Sequence, residues 1–177
     1  MEKDPIANAV YGGIKRGIRV AIENECFDSA VILILSGVDT MAYLAMAANQ
    51  QDVTKHDFIR WADGYIKFPC QEQLTGHDLY GARCAMLHSH GVVSKLSREG
   101  QCRMVGYFGR AFPEVQYNPE VAKDLVLVSV TALAEAFYDA VDRFLVDLFS
   151  KCFYCWLRLE RIFIVSGDFW VEIPSSV

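Results

Sequence analysis

Ser29-Ala-Val-Ile-Leu-Ile-Leu-Ser-Gly-Val-Asp39-Thr-Met-Ala-Tyr-Leu-Ala-Met-Ala-Ala48 is the one stretch of this 177-residue chain long and apolar enough to cross a membrane, and its reading decides the fold. Two readings compete, a lipid-embedded span and the central helix of a packed protein. Asp39 stands near the middle, where a charge is costly in hydrocarbon, and no lysine or arginine flanks the run closely. A core helix is therefore expected, capped by Asp28-Ser29 and reaching about Asn49, with no membrane association.

The neighbouring segments supply partners for such a helix. Ile6, Val10, Ile14, Ile18 and Ile22 recur every four residues between Pro5 and Cys26, with Lys15, Arg16 and Arg19 placed toward water. Thr54 is positioned to cap a third helix through Lys67, with Asp57 in its first turn and Phe58, Trp61, Tyr65 and Ile66 facing inward. Pro69 opens a loop to His77. Asp78 then caps a short fourth helix that Gly91 stops.

Val92 to Phe108, with Ser97-Arg-Glu-Gly100 at its middle, reads as a β-hairpin. Asn118-Pro119-Glu120 has asparagine at a cap, proline at the first helical position and an acid in the first turn, so a long helix to about Phe149 is predicted there. A further helix over Lys151–Val165 and an edge strand over Phe169–Ile173 complete the expectation. The fold class is mostly α: an antiparallel helical bundle with a small β-hairpin insertion, formed by residues 1–177 as a single domain.

The hydrophobic fraction of 53% and mean hydropathy of +0.17 imply much buried surface, including a subunit interface. A net charge of −5 argues against a broad basic face for duplex DNA. Yet Leu79–Pro113 holds Arg83, Lys95, Arg98, Arg103 and Arg110 against the single acid Glu99. That is either an ordinary solvated surface or a small phosphate-binding face. The six cysteines (Cys26, Cys70, Cys84, Cys102, Cys152, Cys155) are scattered, and the charged opening Met1-Glu-Lys-Asp-Pro5 has no apolar core of a secretory signal. Buried thiols in a reducing, cytoplasmic setting are expected. Cys152-Phe-Tyr-Cys155 has the spacing of half a zinc site, but no second such pair exists and its flanks are aromatic. No metal or cofactor is expected.

Chemistry concentrates in Leu79-Tyr80-Gly81-Ala82-Arg83-Cys84-Ala85-Met86-Leu87-His88-Ser89-His90-Gly91. A guanidinium that stays charged can hold a phosphate, and an imidazole that titrates near neutrality can move a proton. At about 100° per residue, Arg83 and His90 share nearly one stripe, whereas Arg83 and His88 point about 140° apart. One helix cannot close a compact Arg83–His88 site unless the arginine bends round, but two copies meeting across a dimer axis can. Arg83, His88 and His90 are the candidate catalytic residues, with Lys95, Arg98 and Arg103 as candidate substrate contacts. Asp39, Tyr80 and Cys84 are candidate supporting residues. The bland alternative pairs Arg83 with an acid, leaves His88 as a helix-end cap and exposes His90. Asp39, a carboxylate among apolar neighbours, needs a partner. It either orients Arg83 or His88, or forms a structural ion pair or a hydrogen bond to a backbone amide. Cys84 and His88, at i and i+4, offer a thiol-dependent hydrolase as another alternative, though no third orienting group or oxyanion hole is identifiable.

Arg83-x4-His88 and Arg83-x6-His90 resemble the Arg-x4–6-His motif of the HEPN superfamily. The run from Leu79 to His88 is similar to a segment of uncharacterised bacterial HEPN-like proteins, Ser36-Gly37-Val38-Asp39 to their second helix, and Ser94-Lys95-Leu96-Ser97-Arg98 to the segment after the histidine. The resemblance touches about residues 28–145. It implies a small helical homodimer that binds or cuts single-stranded RNA without metal, in a stress or toxin–antitoxin setting with an antitoxin or other partner protein. By the resemblance, a histidine takes the ribose 2′-hydroxyl proton, and Arg83 stabilises charge on the phosphate oxygens. Cys84 departs from the polar residue, commonly asparagine, that follows the arginine in active members. A catalytically inactive HEPN-like module that binds a partner protein or nucleotide is the corresponding alternative.

Overall fold

A computed structural model of the chain describes residues 5–47, 49–109 and 115–151. Its elements run α1 (Pro5–Ala7), a π-helical segment (Asn8–Lys15), α2 (Arg16–Glu23), α3 (Phe27–Ala45), α4 (Lys55–Tyr65), α5 (Gly76–Ser89), α6 (Lys95–Arg98), β1 (Met104–Phe108), β2 (Val115–Gln116), β3 (Leu125–Ser129) and α7 (Val130–Lys151). The described protein is mostly helical, with a small three-stranded mixed sheet. Apart from Lys151, which ends α7, the segments expected over Lys151–Val165 and Phe169–Ile173 lie outside the described residues, as do Cys152, Cys155, Arg110 and Pro113.

α3 is the apolar helix of the sequence, and it packs against α2, α4, α5 and α7. Val31, Ile34, Leu35, Val38 and Met41 have no exposed surface, and Ala30, Ala42 and Leu44 are buried with them. By length and composition α3 could cross a membrane, but half of the window that qualifies it is buried inside the protein. Gly37 lets α7 approach closely, since a Cβ there would stand 2.5 Å from Cζ of Phe137. Around Phe137 lie Trp61 and, through Trp61, Tyr65 and Phe144, an edge-and-stack aromatic cluster.

The N-terminal helix explains its own periodicity. In an α-helix a strict four-residue repeat drifts about 40° per step, and the wider π-turn of Asn8–Lys15 offsets that drift. Ile6, Val10 and Ile18 are buried as expected, and Ile14 and Ile22 pack at the edge of the core. Lys15 does not face water. It is 8% exposed, with Nζ 2.8 Å from Asp142 Oδ1 and between the rings of Tyr11 and Tyr138.

Two sequence expectations fail in the second half. There is no hairpin over Val92–Phe108. Ser94 caps the short α6, with its hydroxyl accepting from Ser97 N–H at 3.2 Å, and Gly100 takes φ +69 to release the chain toward β1. β1 then pairs not with a neighbour in sequence but, in parallel, with β3, while β2 pairs antiparallel on the other side of β3. The helix start at Asn118 produces only a turn, in which Asn118 Oδ1 accepts from Glu120 N–H at 3.0 Å. Leu125-Val-Leu-Val-Ser129 then forms the central strand, because its β-branched side chains are flanked by strands on both edges. α7 begins only at Val130.

Candidate functional site

α5 carries the arginine and the histidines, and its start is set by a capping box. Thr75, rather than Asp78, is the N-cap: its hydroxyl accepts from Asp78 N–H at 3.1 Å, and the Asp78 carboxylate accepts from Thr75 N–H at 3.0 Å. The helix ends one residue earlier than Gly91. His90 itself adopts the left-handed conformation at φ 47, with its N–H bonded to Met86 O at 3.1 Å.

Asp78 has a second duty. Its side chain accepts from Arg103 N–H at 2.9 Å, Nε at 3.2 Å and Nη2 at 2.6 Å, while Nη2 also donates to Gln73 O at 2.9 Å. Burial pushes the Asp78 carboxyl up, but the Arg103 guanidinium and the backbone donors outweigh it and leave it below the usual carboxylate range. Arg103 lies over the Tyr117 ring, 4.7 Å from its centroid. It is turned inward as a clamp between α5 and β1, not outward as a substrate contact.

Arg83 and Asp39 do meet. Arg83 Nε donates to Asp39 Oδ2 at 3.0 Å, so α5 is tied to α3 through the carboxylate that the sequence singled out. Both side chains keep more than a quarter of their surface exposed, 27% and 29%. Burial pulls the guanidinium down, and the Asp39 carboxylate more than offsets it, raising Arg83 above its ordinary value. The pair holds the guanidinium through Nε, which is the pairing of Arg83 with an acid that the bland alternative expected.

Tyr80 lies one turn before Arg83 and Cys84, half-buried, with its hydroxyl facing the Cys84 sulfur; burial first, and then Cys84, raises its pKa. Its ring meets Phe58 edge-on, and Lys55 Nζ stands 5.7 Å from the ring centroid. Neither Lys55 nor Cys102, both beside this cluster, was singled out from the sequence. No motif carries them, because they arrive from α4 and from the segment before β1.

The remaining candidates spread over the surface. His88, Ser89 and His90 are exposed at the end of α5, followed by exposed Val92 and Val93. Cys84 is half-buried, and among the described residues no hydrogen bond joins it to His88. Lys95 and Arg98 are exposed on α6, with Lys95 Nζ 3.7 Å from Glu99 Oε1. Among the described residues no group of three His, Cys, Asp or Glu side chains is arranged to hold a metal ion. Comparison with protein-family models, curated proteins and solved structures finds no match to this chain.

Proposed function

We propose that the chain is a HEPN-like helical bundle that works as a homodimer on single-stranded RNA, cutting it without a metal ion. The observation that supports this reading is that Arg83, although paired with Asp39 as the bland alternative expects, keeps 27% of its side chain exposed. A bidentate fork presented in that way suits a phosphate oxygen pair. His88 is the general base or acid and His90 the second choice, because both imidazoles are exposed at the end of the same helix. The roughly 140° between Arg83 and His88 around α5 is bridged by a second protomer, whose arginine approaches the histidine of the first. Lys95 and Arg98 on α6 lie just beyond and attract the backbone electrostatically.

The test is cleavage of a single-stranded RNA pool with chelator present, for the parent chain and for Arg83→Ala, His88→Ala and His90→Ala. Chelator-resistant cutting that Arg83→Ala and one histidine variant abolish, with folding retained by circular dichroism, supports the reading. Absence of cutting by the parent chain at dimer-forming concentrations overturns it in favour of an inactive HEPN-like binding module. The same pair favours that second reading in one respect, since a carboxylate beside Arg83 lowers its net attraction for a phosphate. Cutting abolished by alkylation of Cys84 instead would point to the thiol-dependent hydrolase.

A further inference from the structure

Gly81 has no side chain, and the space a side chain would fill is taken by Cys102. A Cβ built on Gly81 would stand 2.4 Å from Cys102 Sγ and 3.6 Å from Cys102 Cβ. Cys84 is one turn further along α5. Side chains on a helix lean back over the turn before them, so the Cys84 thiol extends over Tyr80 and Gly81. Its proximity to the Tyr80 hydroxyl agrees with that direction. The two thiols therefore lie over the same turn of α5, Cys84 from within the helix and Cys102 from the segment that leads into β1, near enough for Cys84 to act electrostatically on Cys102. Both cysteines are unbridged and half-buried, so a small oxidant can reach them.

The geometry points to Cys84 and Cys102 as an oxidative modification site, a thiol pair that a peroxide converts to a disulfide. One thiolate attacks a peroxide oxygen, the O–O bond breaks, and the departing hydroxide takes a proton to leave as water. The resulting sulfenic acid is attacked at sulfur by the other thiol, which forms the S–S bond and releases a second water. The thiol pair loses two electrons, and the peroxide gains them. The Ser94 hydroxyl, and after it Lys55, favour the Cys102 thiolate. Burial and Asp78 act against it and raise the Cys102 thiol above its ordinary value. The consequence falls on the neighbouring residue. Bridging pulls Cys84 away from Tyr80 and fastens the Arg83 turn of α5 to the clamp segment at Arg103, which changes how Arg83 is presented.

The experiment uses the full chain. It is treated with stoichiometric hydrogen peroxide, capped with a thiol alkylator and digested with trypsin without reduction. The expected product is residues 84–95 joined to residues 99–103, reversible by dithiothreitol, with two fewer alkylatable thiols per chain. Cys84→Ser and Cys102→Ser, which keep volume and fold, should each abolish it. Recovery of both peptides singly alkylated, sulfinic acid at either sulfur without a bridge, or a bridge to another cysteine instead overturns the inference. The mass readout does not depend on RNA cleavage. Only the consequence for Arg83 rests on the proposed function, and comparing RNA cutting by reduced and bridged protein tests that part separately.

Discussion

Asp78→Ala should be among the most damaging single changes outside the apolar core. The side chain, 4% exposed, accepts from Thr75 N–H, Arg103 N–H, Arg103 Nε and Arg103 Nη2. Truncation removes the reciprocal half of the α5 capping box and strands a guanidinium that is only 21% exposed. Breaking a buried pair from one side costs about 3–5 kcal/mol. Arg103 keeps Gln73 O as an acceptor at 2.9 Å and some contact with water, which places the expected loss near the low end, about 3 kcal/mol. Against a total stability of about 5–15 kcal/mol, that is a large fraction, and a fall in Tm of about 10 °C should accompany it. Urea unfolding followed by circular dichroism measures it, with m unchanged if only stability moves. Asp78→Ala combined with Arg103→Met should recover part of the loss, because no unpaired charge is then buried. A single variant within about 1 kcal/mol of the parent chain would refute the clamp.

Three further outcomes follow from the same geometry. Gly37→Ala places a Cβ against Phe137 Cζ at 2.5 Å and Ile14 Cγ2 at 3.2 Å; overpacking of about 1–3 kcal/mol should exceed the gain of up to about 1 kcal/mol from alanine's helix propensity, a net loss readable in urea. The Thr54 hydroxyl and amide hold Asp57 down to about 2, so its contribution is complete above about pH 4 and disappears as pH falls through 2; Tm measured from pH 5 to 2 should fall less steeply in Asp57→Asn. Asp39→Asn should cost less than about 1 kcal/mol of stability, since the pair is partly exposed. If Asp39 positions Arg83, however, RNA cutting should drop on the order of tenfold or more in kcat with KM little changed, and Asp39→Glu should restore part of it; equal activity in all three chains removes Asp39 from the mechanism.

The legible parts of this fold were those where a local pattern and the tertiary structure ask for the same thing. α3 is apolar on nearly every side and is buried on most of them, and Thr54 and Asp57 form the cap their spacing announces. The illegible parts were those where a strong local signal is overridden. Asn118-Pro119-Glu120 is a good helix start, yet the Leu125–Ser129 run that follows it has strand partners on both edges, and pairing on both sides outweighs a cap. Those partners lie at Met104–Phe108 and Val115–Gln116, separations that no periodicity reports. Lys15 failed for a related reason. An α-helical phase places it toward solvent, whereas the π-turn brings that position against α7, where Asp142 and two tyrosine rings receive the ammonium.

The candidate site divides along the same line. That Asp39 needs a partner was readable from a carboxylate set among valine, isoleucine and leucine, and Arg83 is the partner it finds. Arg103, counted with Lys95 and Arg98 from local charge alone, belongs to a different system. Charge density along a sequence cannot distinguish a side chain that looks outward from one that closes a cap at the far end of a helix. The distinction has a mechanistic consequence. With Arg103 committed to Asp78 at the start of α5 and Arg83 committed through Nε to α3, the helix is fixed at its first turn and its middle, while its last turn, with His88 and His90, stays at the surface. A helix anchored in that manner presents its imidazoles on a rigid stem. Under the proposed function, the arginine that reaches them comes from the second protomer, because Arg83 of the same helix is held toward α3.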